Sequence, residues 1–386
     1  MSPRNSRTQW ALGVVSALTA LAVAACSQGG SGAATNTPAS GLASSIPPPS
    51  AVPATTAVTP TAAPSPPITA ITMAIAGPDQ QIGLVTVDGK RLPLAQAPGT
   101  LFALATLSTT AGAASKAYAV GPQGVSELTF VNHSSDGFAS FLGASAAQSL
   151  VAWDHWATNL ATATVDSEIV VSNGDGSHLR SVLKLSSDHV LHAVRFAYDG
   201  KHLLYSYEPL GLGGYSPFGG VSDLYALDLT SGLTSTLVPA AVAGTICLDD
   251  LAADVSLVTL HCSDKFIEVL DPGTGYIGQI APPVEVADWH VHGDARISPD
   301  LTRVAYALAR GNPDSEQGWV AVSNGLTGTS RLIATAPAGD YFSVKGWLGN
   351  TTLVLQSWGA KPGVWVVQAD GSDLRRLADG VFLGGG

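Results

Sequence analysis

From Ile68 onward the chain runs in short apolar or alternating stretches broken by Gly, Asp, Asn and Pro, with no sustained helical period. Such stretches predict β-strands throughout. The clearest unit spans 194–206, turning at Asp199-Gly200, and is followed after a glycine-rich loop by 223–232, which ends in Thr230-Ser231-Gly232. Two antiparallel hairpins in series result, because Asp-Gly and Ser-Gly supply the positive φ of a tight turn. The same four-strand pattern returns over 295–306 and 319–328, and again over 344–355 and 363–377. Second-hairpin turns near Asp175-Gly176, Ser231-Gly232, Gly273-Thr274, Thr327-Gly328 and Asp370-Gly371 recur at intervals of about 40 to 56 residues, the spacing of propeller blades.

The pattern therefore predicts an all-β fold: a β-propeller of seven blades of four antiparallel strands, with six longer blades as the alternative count. Another all-β repeat or a pair of sandwiches is the competing architecture. The first unit, 71–96 with its Asp88-Gly89 turn, is one strand short, so a strand near 380–383 is expected to complete it and clasp the ring. The turn Ser298-Pro299-Asp300 and the ending Asp370-Gly371-Ser372-Asp373-Leu374-Arg375-Arg376-Leu377 resemble the TolB-like propeller repeats, over roughly 190–381. Earlier units lack Ser-Pro-Asp-Gly. The resemblance implies the propeller but not TolB's role in envelope complexes, since the segment before the blades shows no TolB-type α/β domain.

That preceding segment has its own organisation. Arg4 and Arg7 precede an uncharged apolar run over 10–25, which closes on Val23-Ala24-Ala25-Cys26. The order of parts resembles the lipobox of bacterial lipoproteins, which implies a signal peptide over 1–25 and a lipid on the Cys26 thiol. An ordinary secretory peptide and a retained anchor are the alternatives. Residues 27–68 contain no charged side chain and are dominated by Ser, Thr, Ala, Gly and Pro, too little apolar surface to offset ordering entropy. The segment 26–68 is thus read as a tether that reaches on the order of 130 Å if polyproline-like, and 69–386 as the propeller domain. The expected location is outside the cytoplasm, lipid-anchored to the cell membrane or outer membrane.

Net charge is −11 and only 12% of the 386 residues are charged, so no basic face exists to neutralise phosphates, and nucleic acid is not an expected partner. The mean hydropathy of +0.25 is raised by the signal segment and tether. With Cys26 assigned to lipid, Cys247 and Cys262 lie almost symmetrically about a turn at Ala253-Asp254. If 245–248 and 257–262 pair, an exported chain would oxidise them to a disulfide; the alternative is two buried thiols on opposite pleat faces.

Catalytic signatures are weak. Gly214-Tyr215-Ser216-Pro217-Phe218 resembles a nucleophile elbow only superficially, because its second glycine is displaced to Gly219. In Asp288-Trp289-His290-Val291-His292 the two imidazoles share one side of an extended segment, and His189 sits in the equivalent connection of an earlier blade. A divalent metal on His189, His290 and His292 is the chemistry this pattern allows. Trp156, Tyr215, Phe218, Trp289, Tyr341 and Trp358 form the candidate binding rim, suited to stacking on a peptide or sugar. The favoured function is a non-catalytic binding or scaffold module for a protein, peptide or glycan at the cell envelope. The alternative is a propeller enzyme of lactonase, lyase or cyclase type with a metal-assisted site in the channel mouth.

Overall fold

The computed structural model describes residues 72–385 apart from 79–80, 97–99, 110–111, 122, 132–136, 146–149, 160, 163, 210–219, 240–246, 263–264, 287–290, 311–316 and 360. Cys26 and the tether lie outside the described residues.

Seven antiparallel blades follow one another along the described chain, the fourth strands of the fifth and sixth also touching through a short parallel pairing, Ile280 with Gly328 and Ala281 with Thr329. Blade 1 contains β1 (Thr72–Ala76), β2 (Ile82–Thr86) and β3 (Arg91–Leu92); blade 2 contains β4 (Leu101–Thr109), β5 (Gly112–Gly121) and β6 (Gly124–Glu127). Blade 3 is formed by β7 (Gly137–Ser145), β8 (Leu150–Asn159), β9 (Thr164–Asn173) and β10 (Arg180–Ser187), and blade 4 by β11 (His189–Phe196), β12 (His202–Pro209), β13 (Leu224–Asp228) and β14 (Thr234–Val238). Blade 5 has β15 (Leu248–Leu251), β16 (Val258–Leu260), β17 (Ile267–Asp271) and β18 (Gly275–Ala281). Blade 6 has β19 (Val291–Ile297), β20 (Val304–Arg310), β21 (Gln317–Ser323) and β22 (Gly328–Thr335). Blade 7 has β23 (Tyr341–Leu348), β24 (Thr352–Trp358), β25 (Gly363–Gln368) and β26 (Arg375–Asp379). The last strand, β27 (Val381–Gly385), then pairs antiparallel with β1, placing Phe382 opposite Ile75. The expected clasp is therefore present, and the count is seven. Blade 2 has three strands among the described residues.

Ring closure follows from where the apolar side chains go. Every residue of β20 from Val304 to Ala309 is buried, and alternate residues face opposite ways. Val304, Tyr306 and Leu308 pack with Ile267, Val269 and Ile280 of blade 5, whereas Ala305, Ala307 and Ala309 pack with Phe342, Val344 and Leu353 of blade 7. A strand buried on both faces reads as a continuous apolar run rather than a strict alternation. Seven such clusters separate neighbouring blades, and the one between Val354, Val364 and Val366 of blade 7 and Met73, Ile75 and Val85 of blade 1 closes the circle.

Polar latches repeat between the blades as well. Fourth-strand arginines reach the carbonyl just beyond the third strand of the next blade: Arg180 to Leu229 at 2.9 Å, Arg331 to Ala369 at 2.9 Å and Arg375 to Val87 at 2.6 Å. The Leu-Arg-Arg-Leu ending singled out in the sequence thus supplies an inter-blade bond through Arg375. The turns behave as their residues dictate, with Gly200 at φ 63° and Gly371 at φ 86°. Cys247 and Cys262 form a disulfide with a Cα separation of 4.9 Å. The ladder beside them pairs Leu248 with Leu260 and Leu251 with Val258, so both cysteines flank the hairpin rather than sit within it, while residues 245–246 lie outside the described ones.

Candidate functional site

The strands nearest the propeller axis are the first of each blade: β27 and β7 flank β4, β7 neighbours β11, and β19 lies between β15 and β23. An innermost strand leaves one edge unpaired, and its buried amides need acceptors from elsewhere. Here side chains of the preceding blade supply them. Asp154 on β8 accepts Phe141 N at 3.0 Å within its own blade and Ala193 N at 2.8 Å in blade 4. Asp249 accepts Asp294 N at 3.2 Å and Asp250 accepts Ile297 N at 3.0 Å, both from blade 5 to blade 6. Gln356 accepts Phe382 N at 2.8 Å on β27 and donates its amide to Gly380 O at 3.1 Å.

β-Bulges interrupt the inner strands at one level. The ladders shift register within β7, β11, β15, β19 and β23, and an extra residue re-aims side chains toward the axis. In three successive blades the residues displaced include Asp249, Asp294 (with Ala295) and Lys345. Asp294 is left-handed, with φ 50°, a conformation that Asp tolerates better than most residues.

These bulges build a polar line across blades 5, 6 and 7. His261 Nδ1 lies 2.9 Å from Asp249 Oδ1, and Asp249 in turn accepts the Asp294 amide. The Ser343 hydroxyl donates to Asp294 Oδ2 at 2.5 Å and accepts Trp358 Nε1–H at 3.1 Å. Arg296 donates to Asp249 O at 2.9 Å, with its guanidinium 4.0 Å from Asp294 Oδ1. Lys345 Nζ stands 5.5 Å from the Trp358 ring centroid. Burial raises the Asp249 carboxyl above the usual range despite His261 and Arg296. Burial opposes the charge on His261, but Asp249 outweighs it and raises that imidazole.

A second line crosses blades 3 and 4. His192 lies between Asp154 Oδ2 at 3.5 Å and Glu208 Oε2 at 3.2 Å. Burial works against the protonated ring, yet the two carboxylates carry its pKa above the ordinary value; burial also lifts Glu208.

The structure distributes the predicted residues unevenly. Tyr341 and Trp358 are directly opposite across the first hairpin of blade 7, both half-buried, and Tyr341 also packs on the blade 6–7 core. Trp156 is half-buried opposite Phe138 at the corresponding end of blade 3. Tyr215, Phe218 and Trp289 lie outside the described residues. His189 opens β11 and faces Asp188 at 2.8 Å; His292 pairs in the ladder with Leu308, and His290 lies outside the described residues. No group of three His, Cys, Asp or Glu that could hold a metal ion occurs among the described residues. Sequence reasoning missed Asp154, Asp294, Arg296 and Lys345. For Asp154 the available signal was a polar residue directly after an apolar run, as in Val151-Ala152-Trp153-Asp154 of β8 and, likewise, Leu353-Val354-Leu355-Gln356 of β24.

No family model matches the chain, and no curated protein matches it. Solved structures do. The β-propeller domain of the trilobed protease from Pyrococcus furiosus is similar at 12% identity over 64% of this chain and 72% of that one, with a TM-score of 0.40. An oligogalacturonate lyase in complex with manganese is similar at 15% identity over 57% of this chain and 58% of the lyase, with a TM-score of 0.36. A candidate 6-phosphogluconolactonase from Bacteroides fragilis is similar at 13% identity over 81% of this chain and 95% of that one, with a TM-score of 0.48.

Proposed function

We propose that the chain is an exported β-propeller, tethered to a membrane by lipid on Cys26, that binds an envelope protein, peptide or glycan at the end of the ring bearing Tyr341 and Trp358 without converting it chemically. One observation carries the non-catalytic reading. The carboxylates beside the axis are committed to backbone amides of the next blade, as Asp154, Asp249 and Asp250 are, while the aromatic pair Tyr341 and Trp358 keeps part of its surface in solvent. Acceptors occupied by buried amides are poorly placed to shuttle protons, whereas partly exposed rings favour recognition.

Binding is tested with cell-wall polysaccharide and peptide fractions applied to the immobilised full chain. Replacing both Tyr341 and Trp358 by Ala should weaken retention by roughly tenfold or more, in line with hot-spot aromatics. Because Tyr341 packs on the blade 6–7 core and Trp358 bonds Ser343, the thermal midpoint should fall as well, and retention is compared at a temperature where circular dichroism shows both proteins folded. Mass analysis of the eluted fractions should show unaltered ligand; product formation would transfer the site to the enzyme reading.

The anchor is tested separately. Cys26→Ala should release the chain from the membrane fraction or leave an unprocessed precursor, because one lipidated residue supplies the membrane affinity. Normal processing with unchanged detergent-phase partitioning would overturn the lipid assignment.

A further inference from the structure

The inner strand of blade 7 carries a half-buried cation, Lys345. Lys345 sits at the bulge between Val344 and Gly346, half-buried, and its ammonium has no hydrogen-bond or ion-pair partner among the described residues. Its ammonium stands 5.5 Å from the Trp358 ring centroid, within reach of the Asp294 and Arg296 charges. Lysine is a strongly hydrated ion with three donors, and holding it half-desolvated with no protein acceptor among the described residues is costly. Arg296 differs, since it bonds Asp249 O and Ala295 O.

We propose that Lys345 is the charge anchor of a ligand site for an acidic, hydroxylated sugar, its ammonium receiving the sugar carboxylate while Asp294 accepts a hydroxyl. This deepens the binding function proposed above and rests on it. The carboxylate is the group that supplies what Lys345 lacks, an acceptor with several lone pairs. A hydroxyl-bearing ligand is favoured because Asp294, whose charge acts on Lys345, offers an acceptor in Oδ1, which stands 4.0 Å from the Arg296 guanidinium. An extended peptide is disfavoured, because the inner-strand amides it would pair with are already bonded: Asp294 N, Ile297 N and Phe382 N are held by Asp249, Asp250 and Gln356. Burial lowers the proton affinity of Lys345, Asp294 partly restores it and Arg296 lowers it further, for a net decrease; an incoming anion reverses that trend.

The full chain is titrated with D-glucuronate, D-glucose and N-acetylglycine while tryptophan fluorescence and heat are recorded. Glucuronate should bind at least about tenfold tighter than glucose, the difference of one charge-assisted contact, and tighter than N-acetylglycine. Lys345→Met should remove that preference. In the unaltered protein, which needs no refolded variant, acetylation of Lys345 mapped by mass spectrometry should be slowed by glucuronate and not by glucose. Equal affinity for glucuronate and glucose, no binding of either, an unprotected Lys345, or preference for N-acetylglycine would each overturn the proposal. The two readings fail separately: turnover of envelope material would sink the non-catalytic function while leaving glucuronate on Lys345, and absence of glucuronate binding would remove this site without touching retention of wall fractions through Tyr341 and Trp358.

Discussion

Ending the chain at Gly380 is expected to abolish the cooperative fold. The deletion removes β27, which supplies the innermost strand of blade 1 and is the covalent link by which blade 7 holds it. Its loss strips the β1 edge of its ladder from Met73 to Ala76 and takes Phe382 and Leu383 out of the clusters that join blade 1 to blades 7 and 2. It also orphans Gln356, buried on β24, whose side-chain oxygen accepts Phe382 N. Full burial of a large side chain is worth about 1.5 to 3 kcal/mol, so the two partly buried ones contribute about 2 to 4 kcal/mol together, and each buried polar group left unsatisfied, Gln356 and the β1 edge groups among them, costs about 1 to 3 kcal/mol. The sum rivals the stability of an ordinary domain, about 5 to 15 kcal/mol. The measurement is denaturant unfolding followed by tryptophan fluorescence and circular dichroism. A truncated chain that unfolds in one transition, with a midpoint near the full chain's, would refute the clasp as the element that holds the ring.

That clasp was legible in the sequence because a propeller blade has a fixed number of strands, and the first unit was one short while a lone apolar stretch remained after the last. Blade number was legible for the same reason: turns such as Asp175-Gly176 and Asp370-Gly371 recur at blade spacing, and their glycines have φ 84° and 86°. The disulfide followed from two cysteines placed symmetrically about one turn. The axial site was not legible. Asp249, Asp294 and Lys345 are neighbours only because bulges in three separate strands bring them to one level, and a bulge is set by local ladder geometry rather than by hydrophobic period. The histidine pattern carries the same gap between period and placement, with His290 outside the described residues. Its alternation placed two imidazoles on one side of a segment but carried no information about which blade His189 would meet, and the structure turns His189 to Asp188.

The same gap between period and placement explains Asp154, whose replacement by Ala is expected to cost roughly 2 to 6 kcal/mol, since two buried amides lose their acceptor at about 1 to 3 kcal/mol each. The side chain is 0% exposed and joins Phe141 N and Ala193 N across the boundary of blades 3 and 4. Asp154→Asn keeps one acceptor oxygen and should lose distinctly less. The deficit should also depend on pH. His192, held near Asp154 and Glu208, has its folded pKa above its ordinary value of 6.5. Its contribution is therefore fully present below that ordinary value and disappears as pH rises through the elevated one. Glu208 acts in the same direction, because burial and the neighbouring Asp154 raise its pKa and the charged form is disfavoured as pH rises. Removing Asp154 takes away part of the low-pH support of His192 and relieves part of the high-pH strain on Glu208. Denaturant midpoints of the two proteins should accordingly differ more at about pH 5 than at about pH 9, and NMR titration should show the His192 ring of the variant losing its proton at lower pH. A deficit that is small at both pH values would mean that waters or relaxed backbone satisfy the two amides, and that the carboxylate is not the bond between these blades.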